Sequence, residues 1–200
     1  FGLSKITFKF FASGIKGTVN PITSFLTTAK LFKGLGARVV GYDVYQSEAA
    51  KQVVEFLPLD EFLKQSDIIS CHMPYIKGQN ENFINEEFIS KMKDHAILVN
   101  TARGEVLDLE AAVKAIENNK LDGLAIDVIA NEKSLFFKNF ENGKMDTPLH
   151  QKLIDLYPRI LITPHVASST DKALNDMIEV SLQNMDEYLN TGKCKNSLIK

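Results

Sequence analysis

Ala96-Ile97-Leu98-Val99-Asn100-Thr101-Ala102-Arg103-Gly104 is the stretch on which the fold turns. Four consecutive apolar residues that end at once in a polar, glycine-closed turn read as a short strand buried on both faces. The same pattern recurs along the chain. Arg38-Val39-Val40-Gly41-Tyr42-Asp43, Asp67-Ile68-Ile69-Ser70-Cys71-His72, Leu124-Ala125-Ile126-Asp127 and Ile160-Leu161-Ile162-Thr163 are each brief apolar runs closed by a polar side chain. Between them the apolar spacing changes to that of helices, over 29–35 up to Gly36, over 59–65, over a short segment capped by Asn85 that runs to Met92, and over 109–118 behind Asp108. In the last of these, Ala112, Val113 and Ile116 share one face. Alternating strands and helices with nearly continuous apolar strands predict an α/β fold, a doubly wound parallel sheet with helices on both faces.

The end of the chain departs from this rhythm. Over 170–189, Leu174, Met177, Ile178, Leu182, Met185 and Leu189 recur at helical spacing, which predicts one long amphipathic C-terminal helix. Its apolar stripe needs something to pack on.

Bulk composition narrows the function classes. Two hundred residues, 44% hydrophobic and 24% charged, can bury one large core or a domain with an appendage. A net charge of −2 gives no reason to expect nucleic acid or an anionic membrane as partner. No apolar run approaches the roughly 18 residues of a membrane span, and the apolar opening is interrupted by Lys5 and Lys9, unlike a signal peptide. Cys71 and Cys194 have no CxxC spacing, so a reducing cytoplasm is expected and a metal site is not. The first residue is Phe1, and the chain reads as a piece of something longer.

In an open parallel sheet, ligands bind beyond the carboxyl ends of the strands. The strand pattern delivers Arg103, Asp127 and Thr163-Pro164-His165 to that edge, with Glu132 shortly after Asp127. A guanidinium can clamp a carboxylate in a two-pronged hydrogen bond that lysine cannot reproduce. Imidazole titrates near neutrality and suits a proton donor, and a neighbouring glutamate would stabilise its charged form. The set fits proton and hydride chemistry on a small carboxylate. Each member also has a plainer explanation: a surface ion pair of Arg103 with Glu105 or Asp108, a structural histidine after Pro164, and a turn-forming Asp43. Asp43 alternatively closes its strand where an acid accepts hydrogen bonds from an adenosine ribose and repels a 2′-phosphate. His72 has no catalytic task, while His95 and His150 lie in turn-like contexts and read as solvated.

Over about 29–190 the sequence resembles the D-isomer-specific 2-hydroxyacid dehydrogenases, nearest the D-lactate and D-2-hydroxyisocaproate members. Three stretches carry the resemblance: Ser66 through Cys71-His72-Met73-Pro74, then Met92-Lys93 through Asn100-Thr101-Ala102-Arg103-Gly104, then Thr163-Pro164-His165. The resemblance implies a Rossmann-like dinucleotide-binding domain over 1–167 with a divergent first 28 residues, and a helix and tail over 168–200 that belong to the catalytic-domain side. It implies NAD as cofactor, held by Gly14, Gly17, Asp43, Pro74, Asn80, Thr101, Ala102 and Asp127. His165 and Glu132 become the acid–base pair and Arg103 the residue that orients the substrate, a 2-keto or 2-hydroxy acid with pyruvate and D-lactate foremost. The longer parent would be a homodimer.

Three departures qualify that expectation. Residues 12–17 hold Ala12 where the GxGxxG loop needs its first glycine, and about eight extra residues follow, including Pro21, which is unfavourable inside a helix by roughly 3 kcal/mol. Counting back from Asp43 without an insertion puts Asn20 to Phe25 on the loop, with no glycine at all. Nothing corresponds to the family's catalytic domain. Finally, Ser168 and Ser169 follow His165 where D-lactate dehydrogenases place aromatic side chains, leaving room for a bulkier 2-keto acid. The rival expectation is a non-catalytic, dinucleotide-responsive interaction module or an inactive remnant.

Overall fold

The computed structural model of the protein describes residues 7–11, 21–140 and 143–197. The chain divides into two compact units, Phe1–Pro164 and His165–Lys200.

The first unit is built on seven parallel strands: β1 (Thr7–Phe11), β2 (Arg38–Tyr42), β3 (Glu55–Phe56), β4 (Ile68–Cys71), β5 (Ala96–Asn100), β6 (Leu121–Ile126) and β7 (Ile160–Ile162). Their order in the sheet is β3-β2-β1-β4-β5-β6-β7. The winding therefore reverses at β1, with β2 on one side and β4 on the other. Right-handed crossovers place helices made while the chain winds outward from β1 towards β3 on one face, and those made while it winds towards β7 on the opposite face. The first set is α1 (Pro21–Gly34) and α2 (Glu48–Lys51). The second is α3 (Leu59–Gln65), α4 (Glu86–Lys91), α5 (Leu109–Glu117) and α6 (Pro148–Asp155). Two separate clusters of buried side chains agree with this: Phe25, Ala29, Val39 and Val54 on one face, and a larger one including Phe62, Leu98, Ile116 and Leu124 on the other.

Local chemistry starts the helices where it was expected. The Asn85 side chain accepts from Phe88 N–H at 3.0 Å, and Asp108 accepts from Ala111 N–H at 3.0 Å. Each satisfies a helix-end donor that has no partner within the helix. Other expectations need correction. Helix α1 starts at Pro21, not at residue 29. Proline is the first helical residue there, where its missing N–H is no loss and its fixed φ suits the helix, so the objection to Pro21 falls away. The strand β3 and the helix α2, two and four residues long, were missed because each spans about one period of its pattern, too little for a repeat to show. Helix α6 was missed as well, although Thr147 caps it and Pro148 opens it. It carries His150, which is buried rather than solvated, with Nδ1 lacking a hydrogen-bond partner. Desolvation lowers its pKa.

The sheet is not covered evenly. Ala96, Leu98 and Ile160 face the larger core, so their neighbours Ile97 and Leu161 point to the other face, where they remain 36% and 52% exposed.

The second unit holds α7 (Asp171–Thr191), started by Thr170, whose hydroxyl accepts from Ala173 N–H, and ended by Gly192 at a φ of 69°. Its Leu174, Ile178, Leu182, Met185 and Leu189 are all exposed.

Candidate active site

Strand β5 ends on Asn100, which is fully buried. Its side-chain oxygen accepts from Ala102 N–H at 3.1 Å, and its amide nitrogen donates to the Arg103 carbonyl at 2.9 Å. One side chain thus brackets the whole Thr101–Arg103 turn from beneath and satisfies its own burial. Arg103 emerges extended, at φ −146° and ψ 140°. Its guanidinium donates to the Ala102 carbonyl at 2.6 Å and, among the described residues, makes no ion pair with Glu105 or Asp108. Asp108 serves α5 as its cap instead. The surface-pair explanation of Arg103 therefore finds no support in the geometry.

The segment after Arg103 is fastened to the loop that follows β4. Asn82 N–H donates to Glu105 O at 2.9 Å, Ile84 N–H to Val106 O at 2.9 Å and Asp108 N–H to Ile84 O at 3.0 Å. Within that loop Asn80 accepts from Ile76 N–H at 2.7 Å and donates to the Pro74 carbonyl at 2.7 Å. Its amide thereby shapes the Pro74 loop.

Asp127 lies just beyond β6, where its N–H donates to Asn100 O at 3.0 Å. Its buried carboxylate accepts the Thr163 hydroxyl at 2.5 Å, and Thr163 N–H donates to Ile126 O at 3.0 Å. The carboxyl ends of β5, β6 and β7 are thus tied into one edge that holds Thr101, Ala102, Arg103 and Asp127. Glu132 begins a single 3-10 turn after Asn131, whose φ of 55° reverses the chain, and is half-buried. His165 opens the second unit, exposed, at a φ of 52°. Gly14 and Gly17 lie outside the described residues.

At the end of β2, Asp43 is buried, and one carboxylate oxygen accepts from Tyr45 N–H at 2.8 Å. The turn-forming role is real. It also fixes the direction of the carboxylate at a strand end next to the reversal of the sheet, the place where an adenosine ribose sits in a dinucleotide fold. The residues present fit that half of the cofactor.

Residues 26–167 match the family model of the NAD-binding domain of D-isomer specific 2-hydroxyacid dehydrogenases. The chain belongs to this family. It is 36% identical over 169 residues to an aromatic 2-oxoacid reductase of Clostridium sporogenes, which covers 84% of this chain and 50% of that protein. To the D-lactate dehydrogenase of Streptococcus pyogenes serotype M1 it is 38% identical over 168 residues, again 84% of this chain and 50% of the relative. The structure of D-lactate dehydrogenase with NAD+ from Lactobacillus jensenii superposes with a TM-score of 0.86 at 30% identity, over all of this chain and 57% of that one. The Aquifex aeolicus D-lactate dehydrogenase complexed with NAD and lactic acid gives 0.80 at 34% identity, over 94% of this chain and 54% of the other. The chain therefore spans about half the length of these relatives, and the half it spans is the family's NAD-binding domain. No helix among the described residues is long and apolar enough to cross a membrane.

In this NAD-binding domain, His72 is buried immediately after the end of β4. Its Nε2 lies 3.0 Å from the Ser70 hydroxyl and its ring meets Phe25 edge-on at 6.4 Å. Burial pulls its pKa down to about 4. Because the unfolded chain protonates near 6.5, stability should be complete above that pH and fall as pH drops from 6.5 towards 4, by about 3 kcal/mol in all. Melting at pH 7 and pH 5 should show the loss, and His72→Gln should flatten part of it, with His150, lowered by burial in the same direction, contributing as well. An unchanged pH slope in the variant would show that burial does not hold the imidazole neutral.

Sequence reasoning missed three residues of the site. The Asn100 bonds to Ala102 and Arg103 are local, whereas Thr163 reaches Asp127 across 36 positions, which no local pattern reveals. A strand-end Asn is a turn signal and was the available clue to the first. The third, Gly104, left no clue beyond being a glycine after a turn.

Proposed function

We propose that this chain is the cofactor-binding half of an NAD-dependent dehydrogenase that interconverts a 2-keto acid and a D-2-hydroxy acid, with pyruvate and D-lactate as the leading pair. The observation that carries the reading is the Asn100-bracketed turn, which holds an arginine that has no ion pair among the described residues at the same sheet edge as Asp127. Arg103 clamps the substrate carboxylate, and NADH, when bound, supplies the hydride to C2. His165 protonates the C2 oxygen, and Glu132 stabilises its imidazolium. His165 stands in the left-handed backbone region, which costs a non-glycine residue of order 1–3 kcal/mol and gathers at functional sites. Asp43 takes the adenosine ribose. Pro74, Thr101, Ala102 and Asp127 line the rest of the cofactor site, with Asn80 shaping the Pro74 loop and Gly14 and Gly17 serving the phosphates. We assign residues 1–167 to the cofactor domain and 168–200 to the catalytic-domain side of a homodimeric, cytoplasmic parent.

The test joins this chain to the catalytic half of the Streptococcus pyogenes relative. NADH oxidation is expected with a 2-keto acid in the joined protein and negligible in the 200-residue chain alone. Pyruvate should be compared with a bulkier substrate such as phenylpyruvate, because Ser168 and Ser169 are small. A well-folded, NADH-binding chimera that turns over neither would favour the non-catalytic interaction module.

Cofactor choice is testable on the chain itself. A ribose hydrogen bond to a carboxylate is worth roughly 1.5–3 kcal/mol, and a 2′-phosphate both removes it and adds repulsion. NADH should bind at least about tenfold more tightly than NADPH. Asp43→Ser, which retains a turn-forming oxygen, should narrow the ratio mainly by weakening NADH. Equal affinities in the unaltered chain would leave Asp43 as a turn residue only.

A further inference from the structure

Gly104 is buried against the Ile129–Ala130 backbone. A Cβ built on it would lie 1.9 Å from the Ile129 carbonyl carbon, 2.3 Å from Ala130 N and 2.4 Å from Ile129 O. No rotamer change relieves such a clash, because the three nearest atoms are all main chain. Nor does Gly104 adopt a left-handed φ, unlike Gly36, Gly78, Gly143 and Gly192. The position requires glycine for closeness of approach and not for backbone freedom.

Two turns from different strands therefore meet backbone to backbone here. One follows β5 and carries Arg103, the immediate neighbour of Gly104. The other follows β6 and runs through Ile129 and Ala130 to Glu132. A contact with no side chain in it has no soft degree of freedom, so it sets the separation of the two turns more rigidly than packed side chains would. The Asn100 bracket holds the first turn from beneath, and the Asp127 N–H bonded to Asn100 O holds the start of the second.

We propose that Gly104 is a positioning residue, whose missing side chain lets the Arg103 turn seat on the Ile129–Ala130 backbone and fixes the two turns as one wall of the nicotinamide half of the cofactor site. The proposal rests on the cofactor-site assignments made above for Thr101, Ala102 and Asp127. Those residues lie on these two turns, whereas Asp43 lies at the far side of the sheet's reversal, beyond β1. Gly104 therefore acts on one half of the cofactor and not on the other.

The test is calorimetric binding of NADH and of 5′-AMP to the 200-residue chain, to Gly104→Ala and to Gly34→Ala. Gly34 is a control, since a Cβ there meets nothing within 4 Å. Gly104→Ala should lose at least tenfold in NADH affinity and hold AMP within twofold of the unaltered chain, and Gly34→Ala should match that chain for both. Asn100→Ser covers the case in which Gly104→Ala does not fold. It adds no atom, keeps an oxygen near Ala102 N–H and releases the Arg103 carbonyl, so it should weaken NADH severalfold and leave AMP unchanged. Unchanged NADH binding in either folded variant overturns the proposal, as does a parallel loss of both ligands in the folded variants. An unaltered chain that binds neither ligand overturns the cofactor reading itself, and Gly104's role with it.

Discussion

His165→Ala, made in the chimera that joins this chain to a catalytic half, is expected to lower kcat by about 10²–10⁴-fold, the span lost when a positioned general acid is removed. Hydride arriving at C2 leaves an alkoxide, and without the imidazole its proton must come from water. NADH affinity should hardly change, because the assigned task of His165 is at the substrate oxygen. The loss should fall on kcat and kcat/KM alike, since proton donation is realised only in the transition state. Stopped-flow single turnovers, read beside NADH titrations, separate the chemical step from binding. A variant with near-normal kcat and unaltered NADH binding would remove His165 from the mechanism and leave its left-handed backbone without a functional account.

Arg103 carries the second large effect. Its guanidinium stands on a turn whose two backbone groups, Ala102 N–H and the Arg103 carbonyl, are held by Asn100, so the base of the side chain is fixed before a carboxylate docks. Hydrogen bonds to charged groups are worth roughly 1.5–3 kcal/mol, and Arg103→Ala should cost kcat/KM on the order of 10²-fold or more. Arg103→Lys is the sharper experiment. Lysine keeps the charge but offers a point donor in place of a planar fork, so it should recover less than a tenth of what alanine loses. The two variants should bind NADH equally well, which confines the difference to substrate. Lysine restoring most of kcat/KM would show that charge alone is recognised and that the two-pronged geometry is wrong.

Much of the frame was legible because it rests on local rules. Short apolar runs ending in polar residues fixed β2, β4, β5, β6 and β7, and the cap chemistry of Asn85 and Asp108 placed two helix starts. Both depend on residues within four positions of each other. The elements that escaped are those too short to repeat a period, β3 and α2, and α6, whose burial of His150 reverses the expectation of a solvated imidazole. Pro21 shows the same limit from the other side. Proline obstructs a helix interior and suits its first residue, and only the observed start of α1 distinguishes the two.

The amino-acid sequence by itself determined the α/β class, the family and the polar residues at the strand ends, because periodicity and strand-end chemistry are written in neighbouring letters. Tertiary structure alone decided the order in which the strands lie, and with it which strand ends share an edge. It also decided that Thr163 bonds to Asp127 across β6 and β7, and that Gly104 stands against the Ile129–Ala130 backbone. Each of these joins residues more than twenty positions apart, or depends on where such distant segments pass. Their contact comes from packing the whole sheet, and no local pattern encodes it.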